Sequence, residues 1–190
     1  MGTSSNHPSP NIPIWRPAKA ILGRSDWTAE RQSNELWRAA LADREGRLRA
    51  DLSDPLLASA SRLAEAGLDP SSAVRSFRES LNEAQAAGLT LDMGARALAR
   101  AAAAKTGAQG FASELFAEAA SYYVSRDLPS YIGETGRVGT TSDAIRFKDE
   151  IRNIARETAR AGGTVRTDPE GWREYVSAVI GALQRGGGAR

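Results

Sequence analysis

Apolar residues recur three and four positions apart along most of this chain, and no stretch of convincing length alternates with a period of two. A helix returns to the same face every 3.6 residues and a strand every 2, so the pattern predicts helices without strands. The expected fold is all-α, a compact bundle of about six to seven helices. The clearest stripe is Trp172, Tyr175, Val176, Val179, Ile180 and Leu183, which belongs to a core or an interface. Phe111, Leu115, Ala119 and Tyr122 mark a helix from Gly110 to Arg126, and Trp37, Ala40, Leu41, Arg44 and Leu48 mark a long first helix from Ser25 or Asp26 to about Asp51.

Helix starts and stops sharpen these limits. Asp54–Pro55, Asp69–Pro70 and Asp168–Pro169 each place a carboxylate acceptor at the N-cap and then a residue that needs no amide donor. The predicted helices run from these starts to Ala66, to near Ala87 and to Arg185. Two stops, "AGLD" at 66–69 and "AGLT" at 87–90, put glycine where a Schellman-type end wants a left-handed residue, with a leucine after it to fold back. Further helices are expected from about Thr90 to Lys105 and from Asp143 to about Ala161. The organisation is therefore an extended, Pro-rich arm (1–24) and a single helical domain (25–190), in which a Gly-rich connector (129–142) separates helices 25–126 from helices 143–185.

Composition changes the picture in one respect. Leu, Ile, Val and Phe together number 34, and alanine supplies another 34 of the 190 residues, so the helices should be thin and closely packed, some needing a partner to complete their burial. The net charge of +2 lacks the self-repulsion of a disordered chain. The arm carries an apolar clip, Ile12, Ile14, Trp15, Ile21 and Leu22, of which Ile12, Ile14 and Trp15 are the candidate docking residues for a partner.

Several chemistries are excluded. There is no cysteine, so disulfides, thiolate nucleophiles and Cys-ligated zinc are absent. The one histidine, His7, lies in a Ser/Asn/Pro tail, which argues against a Ser/His/Asp triad or a multi-His metal site. No catalytic residue, metal or cofactor is assigned. Paired carboxylates at Glu79/Glu83 and Glu114/Glu118 share helix faces but bring no identifiable base or metal partner. Without a signal peptide or an apolar run of about 20 residues, a soluble, cytoplasmic protein with no membrane contact is expected. The predominance of arginine, 22 of 25 basic residues, fits a high-GC bacterial genome.

Two stretches carry candidate chemistry. "YIGETGRVGTTSDA" at 131–144 offers Gly133, Gly136, Arg137, Gly139, Thr140, Thr141 and Ser142 as anion contacts ahead of a helix whose free amides favour negative charge. It lacks the Gly-Lys-Ser/Thr of a P-loop and follows a helix rather than a strand, and a cap at Thr141, Ser142 or Asp143 explains the hydroxyls without a ligand. "IGETG" at 132–136 resembles the GXXG loop of KH domains over five residues, yet no strands surround it and Glu134 would repel a phosphate backbone, so that family is not assigned.

The second stretch is the helix from Asp143, where Lys148, Arg152, Arg156 and Arg160 form an i, i+4 row expected opposite the apolar face of Ala144, Phe147, Ile151, Ile154 and Thr158. Like charges four apart cost a few tenths of a kcal/mol per pair, so the row calls for something acidic, either nucleic acid or an acidic protein surface. Both ends of the chain are basic and its centre, 51–142, is acidic with 8 basic and 11 acidic residues. The function expected is that of a non-enzymatic accessory or scaffold subunit that works by binding in a larger protein or nucleoprotein assembly through the arginine face and the apolar arm, with a protein partner or self-association. The alternative is a phosphate- or nucleotide-binding protein using the Gly133–Asp143 loop.

Overall fold

The computed structural model describes residues 21, 24, 26–41, 47–127 and 140–185. Every regular element among them is a helix: α1 Ala29–Leu41, α2 Arg47–Leu52, α3 Pro55–Glu65, α4 Pro70–Glu83, α5 Leu89–Ala104, α6 Gly107–Asp127, α7 Thr141–Ala161 and α8 Pro169–Arg185. Seven exceed ten residues, and α2 is a short turn, so the all-α bundle of six to seven helices is the fold observed.

The three Asp–Pro starts all cap helices. Asp54 accepts from the Leu56 amide at 2.8 Å, Asp69 from Ser71 and Ser72 at 3.0 and 3.1 Å, and Asp168 from Gly171 at 2.9 Å. Backbone amides and neighbouring side chains prefer the ionised form, which lowers the carboxyl pKa of both Asp69 and Asp168. The first helix differs from its prediction. Its cap is Thr28, whose hydroxyl accepts from the Arg31 amide at 3.2 Å, because Asp26 is already engaged by Arg24 at 2.9 Å. α1 and α2 flank 42–46, so whether the predicted helix to Asp51 is continuous lies outside the described residues.

The two helix stops also part company. Gly67 takes φ +67°, the left-handed conformation predicted for it. At the second stop the left-handed residue is Gln85 (φ 50°), and the Ala86 amide reaches back to Leu81 O at 2.9 Å; Gly88 is extended and serves as the N-cap of α5. The α4 helix thus closes three residues before the glycine, which the next helix uses instead.

One continuous core links all eight helices. α6 lies at its centre against α3, α5 and α7, and Leu115 through Ala120 are buried without interruption. A helix apolar around most of its circumference belongs inside a bundle. α8 buries its whole predicted stripe: Trp172 stacks between Phe111 and Tyr175 (5.8 and 5.9 Å between centroids) and donates its indole N–H to Leu52 O at 2.9 Å. Tyr175 donates to Ala159 O at 2.6 Å, and burial pushes its phenol pKa up. The alanines allow close approach elsewhere. A side chain at Gly94 on α5 would meet Leu57 of α3 at 2.7 Å, so the bare backbone is what lets these helices touch. Among the described residues the exposed large hydrophobics are Leu89 and Ile145, and no helix is long and apolar enough to cross a membrane.

Candidate functional site

α6 has one polar strip. Glu114 and Glu118 lie one turn apart on it and meet arginines from both neighbouring helices. From α5, Arg96 Nε reaches Glu118 at 3.1 Å, and Arg100 Nη1 pairs with Glu118 and lies 3.6 Å from Glu114. From α7, Arg152 Nη2 lies 3.4 Å from Glu118, and Arg156 forks onto Glu114, Nε at 2.7 Å and Nη2 at 3.3 Å. The planar guanidinium matches the two carboxylate oxygens, which is the strongest geometry for such a pair.

Charge does not balance here. Arg96, Arg100, Arg152 and Arg156 face two carboxylates of α6; Arg96 also meets Asp92 at 3.1 Å in a pair exposed on both sides, which leaves one arginine in excess. Arg152 Nε is buried with no hydrogen-bond partner. Beside this cluster runs a groove of about 480 Å³ lined by Arg100, Thr106, Gly110, Glu114, Arg156 and Arg160, among others. Burial by itself would raise the Glu114 pKa. The fork from Arg156 and the charges of Arg156, Arg100 and Arg152 outweigh it and hold the carboxyl below its ordinary value. The same pairing raises Arg156.

The arginine row therefore sits elsewhere than opposite the apolar face. The side chains of Arg152 and Arg156 are 21% and 20% exposed, against 52% for Arg160. Four residues turn a helix by about 400°, so an i, i+4 row drifts by about 40° per step. It starts at half-buried Lys148 on the flank of the core and reaches solvent at Arg160, which pairs with Glu157 at 2.9 Å. The like-charge repulsion along the row is met from within, by α6. Ile154, expected in the core, is only half-buried, and Ala155 and Ala159 take its place.

Of the other predicted residues, Gly133, Gly136, Arg137 and Gly139 lie outside the described residues, as do Ile12, Ile14 and Trp15. Ile21, also of the apolar clip, is buried, and its carbonyl accepts from Gln32 at 3.2 Å. The cap of α7 is Thr140, one residue earlier than the three candidates. Its hydroxyl accepts from the Asp143 amide at 3.1 Å while Asp143 accepts from the Thr140 amide at 3.1 Å, a reciprocal capping box. Asp143 thus already supplies the negative charge that this helix end favours, and Thr141 and Ser142 are exposed first-turn residues. Glu79, of the other carboxylate pair, lines an open depression of about 610 Å³ with Arg75 and Arg78 on α4. Among the described residues, no three His, Asp or Glu side chains converge as a metal site would require.

Sequence reasoning missed Arg96, Arg100 and Thr106. The signal was present as three i, i+4 charge pairs, Arg96/Arg100, Glu114/Glu118 and Arg152/Arg156, on three consecutive long helices. The chain matches no protein-family model, no curated protein and no solved structure.

Proposed function

We propose that this protein is a non-catalytic helical subunit that works by binding, and that its contact surface for an acidic partner is the groove between α5, α6 and α7. One observation carries the reading: four arginines converge on two carboxylates and leave positive charge uncompensated beside an open groove. A purely structural network would tend toward equal numbers, because each unmatched charge costs desolvation without return. The near absence of large exposed apolar side chains among the described residues points the same way, toward charge rather than greasy burial as the recognition chemistry. Arg152 and Arg156 are already engaged by Glu118 and Glu114, which favours a compact acidic group over successive phosphates of an extended backbone. The apolar arm, Ile12, Ile14 and Trp15, is the second attachment element that an accessory subunit of a larger assembly would use.

The test is retention of the protein by polyanions, a poly-glutamate peptide and a single-stranded RNA oligomer, at about 50 mM salt, where charge contacts are strongest. Parent protein should bind at least one of them, and the Arg156→Gln/Arg160→Gln double variant should bind more weakly. Indifference of the parent to both would end this reading.

A further inference from the structure

The groove's chemistry narrows the acidic group, on the premise that the groove is the acidic-partner surface. Arg100 brings only Nη1 to the two glutamates, although a guanidinium carries five N–H donors. Arg160 reaches the groove from the α7 side, its one ion pair being with the exposed Glu157. Between them the wall is small: Ala104 and Gly110 line it, and a side chain on Gly110 would collide with Thr106 Oγ1 at 1.7 Å. A volume of about 480 Å³ suits a small ligand or a single acidic group of a partner. The guanidinium donors left over at Arg100 and Arg160 suit the several oxygens of a phosphate better than the two of a single carboxylate.

We infer that the groove seats one phosphate dianion, free or as the phosphomonoester of a small molecule, between Arg100, Arg156 and Arg160 with Thr106 at its edge, and that Glu114 is a built-in competitor for the same guanidinium. In the absence of ligand Glu114 occupies Arg156 through both carboxylate oxygens. An incoming phosphate shares or takes that fork, so affinity reflects the difference between two anions for one cation. Removing the internal anion strengthens the site, which a merely structural ion pair would not predict.

The experiment is titration calorimetry of the full chain at about 50 mM salt with inorganic phosphate, ribose 5-phosphate and glutarate, on the parent and on Glu114→Gln, Arg100→Gln and Arg160→Gln. Circular dichroism melts check that each variant is folded, and Arg160→Gln, whose ion pair is exposed, keeps the test valid should Arg100→Gln prove unstable. One-to-one saturation by a phosphate compound is expected. Glu114→Gln should tighten it about fivefold and each arginine variant weaken it about fivefold, the size of one solvent-screened charge pair. Tighter binding of ribose 5-phosphate than of inorganic phosphate assigns the phosphomonoester; equal binding assigns free phosphate. Equal binding of glutarate, or a Glu114→Gln variant no tighter than the parent, overturns the phosphate assignment while polyanion retention still supports the acidic-partner reading. Absence of phosphate saturation in both parent and Glu114→Gln also overturns it.

Discussion

α6 is held by two unlike seams. Toward α8 and α1 it presents Phe111 and Phe116 to a ring stack of Trp172, Tyr175 and Trp37; toward α5 and α7 it presents Glu114 and Glu118 to four arginines. The first seam is dry and self-sufficient, with the one polar atom of Trp172 satisfied by Leu52 O. The second is open to solvent along a groove and carries more cation than anion. Stability therefore resides mainly in the ring stack, where burial is complete. The ionic seam contributes less, because screening and desolvation cancel much of its attraction, and it retains the unspent charge that binding can use.

The strongest challenge to this contrast is Trp172→Ala. Loss of a fully buried indole should cost about 4 kcal/mol in urea denaturation, with the orphaned Leu52 carbonyl adding to the cavity. Glu118→Ala should cost about 2 kcal/mol, since Arg152 loses the carboxylate it donates to while Arg100 keeps Glu114 and Arg96 keeps Asp92. If Glu118→Ala proved the costlier of the two, the division of labour proposed for the seams would be reversed. Acid should act on the ionic seam as that substitution does. Glu114 has a depressed pKa in the fold, so its contribution is complete above the ordinary carboxylate value of about 4.3 and is lost as pH falls through the lower folded value. Denaturation midpoints followed from about pH 7 to 3 should show that loss in the parent and a smaller one in Glu114→Gln.

The smallest expected effect lies away from both seams. Thr140→Ala removes half of the capping box that starts α7 and should cost about 1 kcal/mol, read from the same denaturation curves. Arg152 and Arg156 lie about three to four turns beyond the α7 start, so fraying there should leave the ionic seam nearly intact. A loss of phosphate affinity as large as that of Arg100→Gln would mean instead that the groove depends on the order of the α7 start.

Much of the helix architecture was legible in the residues alone, and for a local reason. An N-cap, a Pro at the first helical position or a left-handed stop acts on amides and carbonyls within four or five positions, so Asp54–Pro55, Asp69–Pro70, Asp168–Pro169 and Gly67 could be read directly. The stripe of α8 was legible because a helix that buries one face must repeat it every turn. Where two local signals competed, reading failed: Gly88 had to be either the end of α4 or the start of α5, and packing of the α4–α5 turn gave the left-handed position to Gln85.

The candidate site belongs to the other category. That Arg152 and Arg156 form a charged pair on a helix is a property of the sequence by itself; that their partners are Glu118 and Glu114, 34 and 42 positions away, is not. Nothing in the spacing of α7 distinguishes a solvated row from one turned toward a neighbour. Only the packing of α7 and α5 on either side of α6 decides it, by bringing six charged side chains from three helices within reach of one another, four of them arginines. Caps and periods are settled by neighbours in the chain. Charge balance is settled by neighbours in space, and the chain acquires those only when it folds.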